Sequence, residues 1–337
     1  MSEIVKNPMK IGESLILDRI GEGLRSVPST SGQSSLGVAI GDDAALWRPR
    51  AGYETILTCD WFLEGTHFLA DLHPPEVVGY KCLARAASDI AAMGGETRCF
   101  LLSLALPDAQ ADHWLRRFLS GLRKASRILS CPIAGGDTTR RNEIIINITV
   151  IGEARRGRAI LRSGAHPGDA IFVTGRLGEA QYGLRLLLEP SKRIAPDDKR
   201  LRKHFYPEPR LAVGLWLANH RLATAMMDLS DGLSSDLPKL CEASGVGARV
   251  EEQALPRVKI EKKYSKKCEA TELALHGGDD YELLFTVARK NAGRVPEAIA
   301  GVPVTRIGEI ATEKRVFLTR KHGAADDLEN KGWDSFR

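Results

Sequence analysis

Two periods of apolar residues alternate along this chain. YETILTCDWFL and FLLSLALP read as strands, and so do LGVAIGDDAALW and EIIINITVIGEA. PPEVVGYKCLARAASDIAAMGG instead has helical spacing, opened by Pro74–Pro75 and closed by Gly94–Gly95. ADHWLRRFLSGLRKASRIL predicts a second amphipathic helix. The polar, turn-rich stretch ARRGRAILRSGAHPGD predicts a domain boundary, giving domains over 1–154 and 155–337. Beyond it, AIFVTGRLGEA runs from a strand through a Gly turn into a helix, and DYELLFTVAR predicts a strand with VTRIGEI closing the chain. The charged, Pro-interrupted EPSKRIAPDDKRLRKHFYPEPR between them predicts a surface excursion. The expected class is α+β, built as two mixed α/β domains.

The 337 residues carry a net charge of +5, which suits an anionic ligand and is too scattered for a nucleic-acid surface. No apolar run is long enough to span a bilayer, and the N-terminus lacks a signal-peptide core, so a cytoplasmic protein is expected. None of the six cysteines forms a CxxC pair. They predict reduced core residues rather than a disulfide or zinc framework.

The chemistry lies in the aspartates. GDDAAL, LTCDWF, ASDIAAMGG, GGDTTR, MDLSDG and GGDDYE each predict an apolar element delivering Asp into a Gly-containing turn. Any one of them is explained by turn chemistry, since Asp and Gly favour turns. An exposed salt bridge to Arg85 would explain Asp89 alone, but the Ala- and Gly-rich helix end around it gives a ligand room to approach. Six at the ends of core elements, accompanied by Thr58, Thr138, Thr139 and Ser230, point to a polyphosphate held through hard divalent cations. A Walker loop, a dinucleotide GxGxxG turn, a protein-kinase motif set and a GxSxG nucleophile elbow are all missing, which excludes those classes.

Taken in order, GDDAAL, TCDWFLEGTHF, YKCLARAASDIAAMGG, GGDTTR, LRSGAHPGD, MDLSDGLSSDL, GGDDYELLFT and the terminal KGWDSF resemble the thiamine-monophosphate kinases of the aminoimidazole ribonucleotide synthetase superfamily. The resemblance implies Mg²⁺-dependent transfer of the ATP γ-phosphoryl to thiamine monophosphate. It also implies a homodimer paired through the N-terminal mixed sheets, with the C-terminal α/β domain completing the site. By matching motifs, Asp43, Thr58, Asp60, Asp89, Asp137, Asp228 and Asp231 would be metal ligands. Gly136, Asp137, Arg162 and Ser230 would contact ATP, and His67, Asp279 and Trp333 would lie near the substrate.

Two positions depart from the family pattern. Cys59 replaces a Thr beside the metal-binding Asp, and Asp279 replaces a Glu. By chemistry alone, several of these residues keep a second explanation. Arg162 could be a surface arginine, Ser230 a helix cap, His67 a core histidine and Trp333 a C-terminal anchor. The competing functions are another enzyme of the superfamily, of selenophosphate synthetase or hydrogenase-maturation type, and a non-catalytic homologue that binds nucleotide or thiamine phosphate.

Overall fold

The computed structural model describes residues 13–24, 36–40, 42–108, 112–189, 194–264 and 268–336. Its first elements are α1 (Glu13–Leu24), β1 (Leu36–Val38), β2 (Leu46–Trp47), β3 (Tyr53–Leu63), α2 (Pro75–Ala92), β4 (Glu96–Leu106), α3 (His113–Ile128), β5 (Ile133–Arg140) and β6 (Ile145–Arg155). There follow β7 (Ala170–Thr174), α4 (Glu179–Leu187), α5 (Arg202–Phe205), α6 (Leu211–His220), β8 (Ala223–Asp228), α7 (Leu233–Ser244) and β9 (Gly247–Glu251). The chain ends with α8 (Ala270–His276), β10 (Leu283–Val287), β11 (Ala298–Ile299), β12 (Val302–Ala311), β13 (Val316–Thr319) and β14 (Ala325–Asp327). The two-domain, mixed α and β expectation holds. By contact, however, the units interleave in sequence. One comprises Met1–Arg48, Cys59–Leu83 and Cys99–Thr149; the other comprises Pro49–Thr58, Ala84–Arg98 and Val150–Arg337.

Among the described residues, one sheet has the order β3-β6-β4-β5. The β4–β5 pair is parallel and sets Ser103 opposite Asp137. Along β3 the residues alternate in exposure: Ile56 and Phe62 are buried with Thr58 and Asp60 between them, whereas Leu57, Cys59 and Trp61 are exposed. The period-2 pleat therefore puts Thr58 and Asp60 on one face and Cys59 on the other. Helix α2 is buried on nearly every side; Val77, Ala84 and Ala91 form the expected stripe, and Leu83, Ala87 and Ile90 beside it are equally enclosed. It meets α3 at backbone distance, because a Cβ on Gly121 would lie 1.8 Å from the Glu76 carbonyl oxygen and one on Gly79 2.0 Å from that of Phe118.

The second sheet has the order β14-β13-β9-β12-β7-β10-β8, with β11 on β12. Its strands pair antiparallel except β9 with β13. Strands β7 and β10, apolar but for Thr174 and Thr286, are buried along their whole lengths, as expected of interior strands with both faces covered. One face packs on α7 residues Leu233, Leu237, Leu240 and Cys241, and the other on Val213 and Leu217 of α6.

Several expectations need correcting. LGVAIGDDAALW is not one strand but two short ones paired antiparallel around the Asp42 turn. GGDTTR lies inside β5 and Asp60 inside β3, so those aspartates project from strands rather than turns. VTRIGEI does not close the chain, since β13 and β14 follow it. Cys59 is exposed and its Sγ pairs with the Asn147 side chain, so it is no core cysteine, although neither it nor any other cysteine is in a disulfide, as expected. The charged excursion is not purely a surface feature: Leu201, His204 and Phe205 are buried, and Lys203 and Arg210 reach an interior carboxylate. Its residues 190–193 lie outside the described residues.

The α2–α3 contact supplies a test of the packing. Gly121→Ala should destabilise the protein by about 1–3 kcal/mol, because backbone rather than a flexible side chain must give way. The measure is the urea midpoint at unchanged slope.

Candidate functional site

In the unit containing residues 150–337, three distant segments are stitched together by main-chain hydrogen bonds. Strand β8 ends at Asp228, which pairs in register with Leu283 of β10. Past the strand ends the pairing continues: Leu229 N–H donates to the Glu282 carbonyl at 2.8 Å, Tyr281 N–H to that of Leu229 at 2.9 Å, and Asp279 N–H to that of Ser230 at 2.7 Å. The C-terminal segment joins through Trp333 N–H, which donates to the Asp231 carbonyl at 2.9 Å. Asp228, Ser230, Asp231, Asp279 and Trp333 are thus gathered from positions a hundred residues apart. A cavity of about 340 Å³ opens beside them, lined by Asp231, Ser235, Lys239 and Trp333.

The turn is held by carboxylates that the sequence reading passed over. Asp236, wholly buried in the first turn of α7, accepts from Ser230 N–H at 3.1 Å and Asp231 N–H at 3.0 Å. Burial, the largest influence, raises its pKa above the ordinary value despite the nearby Lys239 ammonium. Lys239 Nζ lies 2.9 Å from Asp236 Oδ1 and 2.6 Å from Asp231 Oδ2. Burial works against that ammonium, but its bonds to the two carboxylates hold its pKa above the usual lysine value. Ser230 therefore takes part in the turn through its main chain, not as a side-chain cap of α7.

The GGDDYE loop is fixed in the same way. Asp279 adopts φ +67° and Tyr281 φ +50°, and the Tyr281 hydroxyl donates to Asp279 Oδ1 at 2.8 Å. A left-handed backbone at two non-glycine residues persists only where the surroundings impose it. Here the surroundings are the next two acids. Asp280 is buried and accepts from Gly178 N–H at 2.5 Å and Ala180 N–H at 3.2 Å, satisfying the orphan donors that open α4. Burial pushes its carboxyl up to about 7. Glu282 receives Lys203 Nζ at 2.6 Å, Arg210 at 2.6 and 2.7 Å, and the Thr174 hydroxyl at 2.6 Å. Burial opposes its charge, and the Lys203 ammonium and Arg210 guanidinium overcome it, drawing the carboxyl down to about 2.

The remaining predicted residues have the following local surroundings. Asp89 accepts a hydrogen bond from the Thr58 hydroxyl, so this pair is brought together, and no salt bridge to Arg85 is seen. Asp43 and Asp137 are exposed, and their neighbourhoods are local, Asp137 Oδ1 accepting from Thr138 N–H at 2.8 Å. Beside it the buried Thr138 hydroxyl has no hydrogen-bond partner. Gly136 has a structural reason to be glycine, since a Cβ there would lie 1.9 Å from the Leu102 carbonyl oxygen. His67 is half-buried, with Nδ1 accepting from Leu63 N–H at 3.0 Å. The Arg162 side chain is exposed. Asp43, Asp60, His67 and Asp137 belong to one compact unit, and Asp228 and Asp231 to the other.

Carboxylate oxygens suit a hard divalent cation, and Asp231 already holds a cation in the form of Lys239. No three His, Cys, Asp or Glu side chains among the described residues cluster tightly enough to hold a metal ion unaided. Mg²⁺ is commonly bound by one or two carboxylates and completed by substrate phosphates.

Comparison with known proteins identifies the family. Residues 41–154 match the AIR synthase related protein N-terminal domain, and residues 166–321 the corresponding C-terminal domain. Among curated relatives, the thiamine-monophosphate kinase of Bacillus subtilis is 36% identical over 92% of this chain and 97% of its own. That of Escherichia coli K12 is 35% identical over 97% and 99%. A solved structure described as AaThiL complexed with AMPPCP and TMP covers 98% of this chain and 99% of its own at 32% identity, with a TM-score of 0.74. The hydrogenase maturation protein HypE shares the fold, with a TM-score of 0.73 at 19% identity.

The Glu282 cluster generates a pH prediction. With the folded carboxyl near 2 and an ordinary value of 4.5, its stabilisation is complete above pH 4.5 and is lost as pH falls toward 2. Glu282→Gln should flatten that acid limb of stability. At neutral pH it should cost about 3–5 kcal/mol, because Lys203 and Arg210 are left without their buried counter-charge. Denaturant melts between pH 2.5 and 7 measure both.

Proposed function

The chain belongs to the thiamine-monophosphate kinases within the AIR synthase related family, and we propose that it transfers the γ-phosphoryl of ATP to thiamine monophosphate, giving thiamine diphosphate and ADP. The observation carrying this reading is the main-chain ladder that gathers Asp228, Asp231, Asp279 and Trp333, with Asp231 and Trp333 lining one cavity. That convergence, with identity over nearly the full length of the relatives, favours the kinase over the maturation-protein and non-catalytic alternatives.

The acceptor is a phosphate monoester with a second pKa near 6, so it is mostly dianionic at neutral pH. One of its oxygens attacks the γ-phosphorus while the bond to the β–γ bridging oxygen breaks, and the leaving group departs as ADP. No proton need be removed from the nucleophile, so no general base is required. The obstacle is repulsion between anions, about 1 kcal/mol per charge pair at ~4 Å in water and about 4 at an effective dielectric of 20. Mg²⁺, when bound, supplies the charge that neutralises the approaching phosphates.

Asp43, Thr58, Asp60, Asp89, Asp137, Asp228 and Asp231 would hold Mg²⁺. The side chain of Cys59 points away from Thr58 and Asp60, so any contact there goes through main chain. Arg162, Ser230 and Gly136 would bind the nucleotide, Gly136 being also where β5 runs close to the Leu102 backbone. Trp333, half exposed on the cavity wall, would offer its face to the cationic thiazolium, with Asp279 and His67 completing substrate recognition. Asp279 is a methylene shorter than the family Glu, and its pinned geometry fixes where that shorter carboxylate points.

The assembly would be a homodimer in the cytoplasm. The exposed face of β3 carries Leu57 and Trp61, 69% and 57% exposed, an apolar strip that a second copy would cover. No helix among the described residues is long and apolar enough to cross a membrane.

Purified protein with ATP, Mg²⁺ and thiamine monophosphate should form thiamine diphosphate; ADP release without that product would favour another superfamily activity. Asp60→Asn or Asp231→Asn should abolish turnover with the melting temperature nearly unchanged, whereas unfolding would assign those acids to turn structure. Trp333→Ala should raise KM for thiamine monophosphate roughly tenfold, as expected for a lost aromatic–cation contact, and leave KM for ATP alone. Equal effects on both would remove Trp333 from the substrate site.

A further inference from the structure

Asp231 and Asp236 share one ammonium, but they are not equivalent. Asp236 is fully enclosed, and one of its oxygens is committed to the backbone N–H groups of Ser230 and Asp231. It cannot leave without dismantling the turn. The Asp231 side chain is 30% exposed and opens on the cavity shared with Trp333. Lys239 stands three residues after Asp236 on α7, lines the same cavity, and keeps 41% of its side chain exposed. Its flexible four-carbon stem allows the ammonium to stay with Asp236 while swinging away from Asp231.

An ammonium 2.6 Å from Asp231 Oδ2 occupies the approach that a divalent cation needs, since Mg²⁺ must come within about 2.0–2.1 Å of a carboxylate oxygen. The two cations also repel. On the reading above that Asp231 is a metal ligand, we propose that Lys239 is a tethered counter-cation that competes with the divalent metal ion for the Asp231 carboxylate. It neutralises the carboxylate pair while the site is empty and must be displaced when metal enters. Its displaced position lies in the cavity beside Trp333, where a phosphate-bearing ligand gives the ammonium a new partner. Metal alone is therefore held weakly, and metal and anionic substrate bind cooperatively through this one side chain.

The test titrates Mg²⁺ into the intact protein by calorimetry, without nucleotide or substrate, and records the Mg²⁺-induced rise in melting temperature. Lys239→Met, which keeps length and removes charge, should bind Mg²⁺ about tenfold more tightly than the unsubstituted protein and show the larger melting shift. Lys239→Arg, which keeps the charge, should stay near the unsubstituted affinity. If Lys239→Met does not fold, Lys239→Gln, whose amide can still donate to Asp236, serves for the same comparison. Unchanged or weaker metal binding on removing the charge overturns the inference. Asp231→Asn separates the two levels. If it loses the metal response while Lys239→Met matches the unsubstituted protein, only the competition is wrong. If Asp231→Asn binds metal as before, Asp231 is not a ligand and both readings fall.

Discussion

A carboxylate buried without a partner costs several kcal/mol, and the C-terminal unit of this protein is organised around that cost. Three acids within its interior are answered in three ways. Asp236 takes backbone N–H groups of its own turn, Asp280 caps the distant start of α4, and Glu282 is enclosed by Lys203, Arg210 and Thr174. Each answer also fixes a piece of chain. Together they lock the Asp228–Asp231 turn against the Asp279–Glu282 loop as an extension of the β8–β10 ladder.

What this scaffold presents is Asp231 on the cavity wall and Asp279 part-exposed on the adjoining loop. The structural acids are enclosed, while Asp231 and Asp279 keep part of their surface open, and Lys239 and Trp333 at the rim are similarly half free. Phosphoryl transfer rewards this division: reacting anions need rigid positioning, and the groups that exchange partners need room to move. The left-handed backbone at Asp279 and Tyr281 is tolerated because flanking hydrogen bonds over-determine it.

The fold was legible in the sequence where a local pattern had a single physical meaning. The stripe Val77–Ala84–Ala91 marked α2 as a buried helix, and the alternation in YETILTCDWFL marked β3. The structural roles of Asp236, Asp280, Lys203 and Arg210 were not legible, because an acid beside Gly looks the same whether it faces a ligand or a distant backbone N–H. Lys203 and Arg210 sit in a charged, Pro-interrupted stretch whose local pattern says surface. Their partner Glu282 lies more than seventy residues away. The signal that could have found them was the buried His204 and Phe205 between them, two bulky side chains inside an otherwise polar run.

The chain by itself determined the alternation of strands and helices, the mixed class and the family, since these rest on short-range periodicity and on motifs whose order is written in one dimension. Which aspartates serve the fold and which serve the site was decided only in three dimensions. A carboxylate's role is set by whatever donor or cation lies within about 3 Å of it, and here those partners come from segments far apart in sequence.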